Sequence, residues 1–295
     1  MKAPLFTGAA TAIVTPFREE RLDLNAFGRL LEMQYAGGVS AVVVCGTTGE
    51  AATLTPKEHE ALFRTAAERI AGRMKLIAGI GSNDTQKALA MARRAEEAGA
   101  DGVLMVTPYY NKSTQAGLIR HFTYVADRSG LPVIVYNVPS RTGVGIEPET
   151  YAVLAEHPNI NGVKEASGNI AAFAKTKALC GEELNFWSGN DSDTVAMMSL
   201  GAKGVISVAS NLVPDAISRL CRLCAEGDYA AASALNERYM DLFSLLFCEV
   251  NPIPVKTAMG LLGRCSGRMR LPLVPMQPEH EAALIACLSR HGLIL

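Results

Sequence analysis

Short apolar runs recur along the chain, separated by segments with the signals of helices. Each run is too short for a helix and is rich in Val and Ile, as strands are. The runs do not alternate cleanly between apolar and polar residues, which is typical of strands covered on both faces. The pattern therefore predicts eight buried strands, at residues 8–15, 41–46, 75–81, 102–107, 132–138, 160–166, 185–189 and 204–209.

The segments between these runs carry signals that begin and end helices. Residues 55–58 (TPKE) predict a capping box with proline in the first helical turn. We expect Asp84 to cap a helix that ends at Gly99, and Asp191 to cap one that ends at Gly201. Helices therefore alternate with the strands.

Eight strand–helix units in about 225 residues favour a closed (β/α)8 TIM barrel, which typically takes ~250 residues. A doubly wound open sheet is the alternative, but it needs a glycine-rich loop after the first strand, where residues 12–17 read AIVTPF. We predict an α/β chain with a barrel at 1–227 that carries the active site. A C-terminal helical region at 228–295, interrupted near Pro252 and Pro272, is expected to pack on the barrel or in an oligomer interface.

Composition and charge exclude several function classes. Of 295 residues, 49% are hydrophobic and 19% charged, and the formal net charge is −1. With no basic stripe and only 6% aromatic residues, we expect no nucleic-acid partner. No stretch has the length of a membrane span, so we expect no membrane partner either.

The cysteines and the N-terminus bear on the compartment. The seven cysteines are odd in number and scattered, which favours a reducing compartment. No secretory signal is recognisable at the N-terminus, so we expect a cytoplasmic protein. Cys221 and Cys224 form a CxxC motif in a predicted helix, where free thiols are a better interpretation than zinc ligands.

Lys164 is the strongest candidate for chemistry, because it lies near the end of a predicted buried strand. Burial disfavours the ammonium form and lowers the lysine pKa. An amine that is free near neutral pH attacks carbonyl carbon. The alternative is a strand lysine whose head reaches water or pairs with the adjacent Glu165.

Polar residues follow several other predicted strands. In a barrel the C-terminal ends of all strands meet at one face, where the active site lies. We therefore expect these groups to converge with Lys164 on one pocket. They are Gly46-Thr47-Thr48-Gly49-Glu50, Pro108-Tyr109-Tyr110-Asn111, Tyr136-Asn137-Val138-Pro139, Ser140-Arg141-Thr142-Gly143 and Ser188-Gly189-Asn190-Asp191.

Such a set suits imine chemistry. A lysine amine converts a ketone into a protonated imine, which then loses a proton from the neighbouring carbon to give an enamine that attacks an aldehyde. Tyr136 is a suitable proton donor, with Thr47 and Tyr110 as a hydroxyl relay. Thr48 and Gly49 offer a hydroxyl and a backbone N–H to a carboxylate.

A second carboxylate is a candidate ligand for Arg141, which binds such groups bidentately. Each residue also has an ordinary interpretation. On that interpretation the tyrosines are rim aromatics, the threonines are turn residues and Arg141 is a solvated loop charge.

We expect no metal and no cofactor. None of the five histidines falls at a predicted strand end, and no HxH or HExxH motif occurs. Asp191 and Asp193 are better explained as a helix cap and a first-turn acid than as cation ligands. A flavin or phosphate site would need a glycine-rich loop after the seventh or eighth strand, where residues 209–211 read ASN.

The strand-end motifs resemble those of the dihydrodipicolinate synthase family, which belongs to the class I aldolase barrels together with N-acetylneuraminate lyase. The similarity covers nearly the whole chain and includes Gly162-Val163-Lys164-Glu165. Thr47-Thr48, where the lyases have Ser-Thr, and Arg141 favour the synthases. Residues 251–256 (NPIPVK) are also similar to the synthases.

The resemblance implies condensation of pyruvate with L-aspartate 4-semialdehyde in lysine and diaminopimelate biosynthesis. It assigns Lys164 to the Schiff base, Tyr136 to proton donation, and Thr47 and Tyr110 to the relay. Thr48 would bind the pyruvate carboxylate.

Three more site residues follow from the resemblance. Arg141 would bind the semialdehyde carboxylate, and Gly189 and Ile206 would line the site through backbone groups. Family members are typically homotetramers built from tight dimers, in which Tyr110 would enter the neighbour's site.

One departure from the family concerns regulation. Lysine-inhibited members hold lysine with residues that match Asn83, Tyr109 and His59 and with an acid at position 87. This chain has Lys87 there, and Pro56 replaces another histidine. A cation repels the effector's ammonium, so we expect weak or absent inhibition by lysine.

Two other functions stay open. One is another pyruvate-dependent aldolase, acting on a sialic acid or a keto-deoxy sugar acid. The other is a non-catalytic barrel that binds a metabolite, which an intact set of lysine, tyrosine, threonine and arginine makes the weaker hypothesis.

Overall fold

The eight apolar runs form the parallel strands of a closed barrel in the computed structural model, which describes residues 2–294. The barrel strands are β1 (Gly8–Ala12), β4 (Ala41–Val44), β5 (Lys75–Gly79), β6 (Gly102–Val106), β7 (Val133–Asn137), β8 (Ile160–Glu165), β9 (Asn185–Ser188) and β10 (Gly204–Ser207). Two further strands, β2 (Phe17–Arg18) and β3 (Arg21–Leu22), pair with each other in a separate antiparallel hairpin. The barrel closes because β1 pairs with both β4 and β10. This confirms the TIM barrel, and the open-sheet alternative is wrong.

Strand ends differ from the prediction. Each barrel strand ends one to three residues before its predicted end, because the last apolar residues belong to the loops. After β4, for example, Cys45 takes a left-handed backbone (φ 58°), which no strand residue does. The hairpin of β2 and β3 was not predicted, because two residues per strand leave no periodic pattern.

Twelve α-helices surround and extend the barrel in the described residues. They are α1 (Leu24–Ala36), α2 (Pro56–Ile70), α3 (Thr85–Glu97), α4 (Gln115–Ala126), α5 (Pro139–Thr142), α6 (Pro148–Ala155), α7 (Ile170–Cys180), α8 (Thr194–Ser199), α9 (Pro214–Ala225), α10 (Tyr229–Leu245), α11 (Ile253–Leu261) and α12 (Pro278–Arg290). Across residues 2–294, no helix combines the length and apolar character that a membrane crossing requires.

Two of the three predicted helix starts are confirmed. Thr55 and Glu58 form a reciprocal capping box at α2. Asp84 accepts two backbone N–H bonds at the start of α3. The Asp191 cap is wrong, because this carboxylate bonds to the neighbouring loop instead. The CxxC residues Cys221 and Cys224 lie buried in α9, as expected for helix-core thiols.

Two apolar layers explain why the strands show no alternation. Inward residues such as Ala10, Val43 and Ile134 fill the barrel, while outward ones pack under the helices. Trp187 stacks on Phe6 at 4.8 Å between ring centroids and donates its indole N–H to the Phe6 carbonyl, which adds two large rings to this interior cluster. The inward residues at the C-terminal ends of the strands are left to line the cavity at that end of the barrel.

The C-terminal helices pack on the barrel and on each other. Helix α10 lies against α8, α9 and α12, and α11 lies against α12. The segment between α10 and α11, residues 246–252, reaches the cavity at the end of the barrel. The division of the chain into a barrel at 1–227 and a C-terminal helical region at 228–295 stays a prediction.

Candidate active site

A cavity of about 550 Å³ opens where the barrel strands end. Six of the nine residues predicted to act in catalysis or substrate binding line it, namely Thr47, Thr48, Tyr136, Arg141, Lys164 and Gly189. They come from the loop after β4, from β7 and the helix after it, from β8 and from the loop after β9. Groups far apart in sequence are therefore brought to one space, as the strand-end argument predicts.

Lys164 lies inside the barrel wall. It is only 5% exposed, and its Nζ lies 4.4 Å from the centre of the Tyr136 ring. Burial lowers the pKa of the Lys164 amine to about 8, partly offset by the negative charge of Asp191, while Arg141 lowers it further. About one tenth of the amine is therefore uncharged at pH 7, far more than for an ordinary lysine.

Glu165 does not pair with Lys164, so this ordinary interpretation of the lysine is wrong. Successive strand residues point to opposite faces, and Glu165 faces outward. Its carboxylate accepts bonds from Asn137 Nδ2 (3.0 and 3.1 Å), the Tyr151 hydroxyl (2.9 Å) and the Ser167 N–H (2.7 Å). The Lys164 amine therefore faces the cavity without a salt bridge to Glu165.

Tyr136 lies beside the lysine because the register of β7 and β8 pairs the two residues. Burial raises the pKa of the Tyr136 phenol to about 12; Arg141 and a side-chain hydrogen bond with Thr47 oppose that shift, and Glu165 adds to it. The phenol therefore holds its proton at neutral pH and is able to donate it.

The turn after β4 is tightly built. Cys45 and Glu50, which flank it, both have left-handed backbones (φ 58° and 56°), a conformation that costs of order 1–3 kcal/mol for a residue other than glycine. Thr15 Oγ1 donates to the Gly49 carbonyl at 2.7 Å, and the Gly49 N–H donates to the Gly46 carbonyl. Thr48 is thereby buried at the cavity wall.

A buried ion pair fastens this turn to the C-terminal region. Lys256 and Glu50 have no exposed side-chain surface, and Lys256 Nζ lies 2.5 Å from Glu50 Oε1. The ammonium also donates to the Thr15 carbonyl at 2.8 Å, and the Arg270 N–H donates to Glu50 Oε2 at 3.0 Å. The sequence analysis missed this pair, since residues 206 positions apart show no local signal of contact.

Arg141 lies at the exposed rim of the cavity. Helix α5 begins with Pro139 and ends at Thr142, and it is capped by Gly143, whose φ of 68° a residue with a side chain rarely adopts. The Arg141 guanidinium donates to the Asn251 carbonyl at 3.2 Å. It is therefore held at the mouth rather than free in solvent.

Gly189 lies against the lysine. A Cβ at this position would meet Lys164 Cε at 3.1 Å and Ala166 Cβ at 2.6 Å, so only glycine fits without movement. Asp191, two residues on, is buried and accepts bonds from the Ser207 hydroxyl and from the N–H groups of Val208 (3.1 Å) and Ala209 (3.0 Å).

Three predicted residues lie outside the lining of the cavity. Gly49 lies in the turn, and Ile206 is fully buried with the apolar side chains inside the barrel. Tyr110 is 92% exposed on the loop after β6, with a left-handed backbone (φ 69°). Their roles stay predictions.

The proposed effector residues lie on the neighbouring loops and helices. The Asn83 carbonyl accepts a bond from the Asn111 side chain, and Tyr109 is 39% exposed. His59 is buried in α2, where burial lowers its pKa. Lys87 is exposed in the first turn of α3. Their binding role also stays a prediction.

One group of metal-ligand side chains occurs within residues 2–294, formed by Asp241, Cys287 and His291 in the C-terminal helices. Asp241 already accepts bonds from Arg290 (2.8 Å) and His291 (2.8 Å). The guanidinium beside it repels a metal cation. The group lies outside the active-site cavity, so it takes no part in the chemistry there.

A closed parallel barrel that buries an amine of lowered pKa beside a phenol at its strand ends defines an imine-forming barrel enzyme. The chain matches the model of the dihydrodipicolinate synthetase family over residues 5–291 and belongs to that family. It is therefore an enzyme of this family, as the sequence predicts.

Individual relatives agree over almost the full length. The chain is 47% identical to a 4-hydroxy-tetrahydrodipicolinate synthase of Alkaliphilus oremlandii, over 98% of this chain and 100% of the relative. The crystal structure of dihydrodipicolinate synthase from Aquifex aeolicus superposes with a TM-score of 0.96 at 46% identity, covering 98% and 99% of the chains. The chloride-inhibited synthase of Acinetobacter baumannii, complexed with pyruvate, has a TM-score of 0.96 at 38% identity, covering 98% and 100%.

Proposed function

We propose that the chain condenses pyruvate with L-aspartate 4-semialdehyde to 4-hydroxy-tetrahydrodipicolinate, in lysine and diaminopimelate biosynthesis. The observation that carries the proposal is Lys164, a buried amine with a pKa of about 8 beside Tyr136 in a cavity of about 550 Å³. Pyruvate supplies the ketone, and Thr48 binds its carboxylate through the hydroxyl.

The first half of the reaction forms the enamine. The neutral Lys164 amine attacks the keto carbon, and loss of water gives a protonated imine. The neighbouring methyl carbon then loses a proton, and the electron pair moves toward the imine nitrogen. Tyr136 donates and recovers the protons of these steps, with Thr47 and, from a neighbouring chain, Tyr110 as the relay.

The second half joins the two substrates. Arg141 binds the carboxylate of the semialdehyde at the mouth of the cavity. The enamine carbon attacks the aldehyde carbon, whose oxygen takes a proton and becomes the 4-hydroxyl. The amino group of the new chain then attacks the imine carbon, which closes the ring and releases the Lys164 amine.

The rival function is an aldolase acting on sugar aldehydes. Arg141 favours the semialdehyde, because a guanidinium is suited to a carboxylate, which N-acetylmannosamine lacks. Turnover of pyruvate with each aldehyde, measured side by side on the purified protein, tests the proposal. We expect condensation with the semialdehyde only. Preferential turnover of the sugar would contradict it.

We propose a cytoplasmic homotetramer built from tight dimers. The exposed, left-handed Tyr110 supports it, because such a tip is suited to reach a neighbouring chain and does not line the cavity of its own chain. Light scattering of the purified protein should give a four-chain mass, whereas a monomer at working concentration would contradict the assembly.

We propose that lysine inhibits this enzyme weakly or not at all. The ammonium of Lys87 stands where lysine-binding relatives present an acid, and two like charges repel. Steady-state rates measured across a lysine titration should stay near the uninhibited value. Inhibition in the micromolar range would reject this proposal.

A further inference from the structure

A second cavity, of about 860 Å³, opens at the end of the barrel opposite the active site. Its lining includes residues 7–9 at the start of β1, Ser40 just before β4, and residues 201–203 just before β10. One side of α9 and the side chain of Tyr229 complete it. It shares no lining residue with the active-site cavity, so the proposed reaction leaves it without a role.

Small residues keep this cavity open. The end of α1 and the turn after it contribute residues 36–38 (AGG), and the turn before β10 contributes residues 201–202 (GA). These residues have little or no side chain to fill the space between the helices. The resulting volume is that of a site for a metabolite rather than for a single small ion.

The lining of this cavity is positively charged. Arg219 and Arg222 lie three residues apart on α9 and so share a helix face, and Lys203 comes from the turn before β10. Asp215, in the first turn of α9, is the one acid among the described lining residues. Three cations against one carboxylate attract an anion, and the walls of a cavity strengthen that attraction.

The two arginines are not neutralised by the protein itself. Within residues 2–294, neither the Arg219 nor the Arg222 guanidinium forms a hydrogen bond or an ion pair. Asp215 precedes Arg219 by four residues, the spacing of a helical ion pair, yet the two do not pair. Lys203 is only loosely held, with its Nζ 3.6 Å from Glu182 Oε2. The ordinary interpretation, a helix face balanced by its own acids, therefore does not describe this wall.

We propose that this cavity binds a phosphorylated metabolite: Arg219, Arg222 and Lys203 bind the phosphate, and the rest of the ligand packs on Tyr229 and Met198. A phosphate monoester carries a charge of about −1.5 to −2 at neutral pH, which matches the excess positive charge of the lining. Its three terminal oxygens offer three cations more acceptors than the two of a carboxylate. The Tyr229 hydroxyl donates to the Met198 carbonyl at 3.2 Å, which holds the aromatic ring at the wall.

Calorimetric titration of the purified enzyme tests this site, with pyruvate present so that the active-site cavity is occupied. The probes are ADP, pyrophosphate and citrate, without magnesium ions, which would mask the phosphates. We expect one ADP per chain with a Kd below about 1 mM. Pyrophosphate should bind less tightly, because it has no ring to pack on Tyr229, and citrate more weakly still. Citrate binding as tight as that of ADP overturns the assignment to phosphate.

Substitutions in the wall locate the site. Arg219→Ala and Arg222→Ala should each weaken ADP binding roughly tenfold, because one charge-assisted contact is lost. Asp215→Asn should strengthen it, because a carboxylate that repels the phosphate is removed. A substitution that acts only by disturbing the fold would not strengthen binding. Arg93→Ala is the matched control: this exposed arginine of α3 lines neither cavity, so its loss should leave the affinity unchanged.

Retained affinity in both arginine variants, or an equal loss in Arg93→Ala, overturns the inference. Borohydride trapping of pyruvate in each variant shows that the variant folds, because that reaction takes place in the other cavity. A wild-type enzyme that binds neither ADP nor pyrophosphate also overturns the inference, and it leaves the proposed condensation untouched.

Discussion

Lys164 shows how a position on a strand sets the reactivity of a side chain. The strand turns Lys164 into the barrel and Glu165 out of it, so the amine keeps its burial without a salt bridge to its neighbour. The sequence predicted both the lysine and its strand, because an apolar run with one cation is a local signal. The choice between nucleophile and ion pair needed the structure, because it depends on which face each residue takes.

The rate of imine formation should rise with pH through about 8. Only the neutral amine is a nucleophile, and burial places the Lys164 pKa at about 8 rather than near 10.5. Between about pH 7 and pH 9 the neutral fraction grows about tenfold. Stopped-flow rates with pyruvate alone measure this directly. A midpoint near that of an ordinary lysine would contradict the assigned burial.

Replacement of Lys164 by Met should stabilise the protein at neutral pH. The lowered pKa means that protonating the folded protein is unfavourable, so the penalty is full below about pH 8 and disappears toward pH 10.5, the ordinary value. The free energy of unfolding at pH 7 should increase by up to about 3 kcal/mol. Urea unfolding of both proteins at pH 7 and pH 10 tests it: the gap should narrow at the higher pH, and equal stability at pH 7 would be evidence against a costly charge.

At the scale of elements, the site depends on a turn held by a distant segment. The Gly46–Glu50 motif was read from the sequence, since its threonines follow a strand. Its attachment to Asn251, Lys256 and Arg270 was not, because those contacts cross 200 residues or more. A lysine in a helix is ordinarily solvated, so nothing local distinguishes Lys256.

Breaking the Lys256–Glu50 pair should be strongly destabilising. Lys256→Met or Glu50→Gln alone leaves a buried charge without its partner, which costs about 3–5 kcal/mol of unfolding free energy. The double variant should lose less than the sum of the two, because no charge is then left unpaired. Denaturant unfolding of the wild type, the two single variants and the double variant gives the coupling free energy between Lys256 and Glu50.

The exposed pair Lys175–Glu149 is the matched control for this experiment. Its side chains are 59% and 64% exposed, and its removal should change the unfolding free energy by less than about 1 kcal/mol. If the two pairs behave alike, the buried pair does not hold the turn. The pyruvate KM of a folded Glu50→Gln variant should also rise, since Thr48 belongs to the same turn.

For the whole molecule, regular repetition made the architecture predictable. Eight apolar runs separated by capped helices specify a closed barrel, and the barrel places the strand-end groups together. The exceptions are local and irregular: the β2–β3 hairpin, the Asp191 carboxylate and the segment 246–252. Each depends on contacts between loops, which carry no periodic signal.

Mixing two inactive variants tests whether Tyr110 acts in a neighbouring chain. Lys164→Ala removes the amine and Tyr110→Phe removes the relay hydroxyl. In a mixed dimer one of the two sites has both groups, so a re-equilibrated equimolar mixture should regain about one quarter of wild-type activity. If the activity of the mixture is only the mean of the two variants, Tyr110 does not complete a partner's site.

Covalent capture of pyruvate by Lys164 is the central claim, and one measurement tests it most directly. The protein is incubated with pyruvate, reduced with borohydride and digested, and the peptides are analysed by mass spectrometry. We predict one reduced pyruvyl group per chain, located on Lys164 and absent from Lys164→Ala. No adduct, or an adduct on another lysine that persists in Lys164→Ala, would contradict the account.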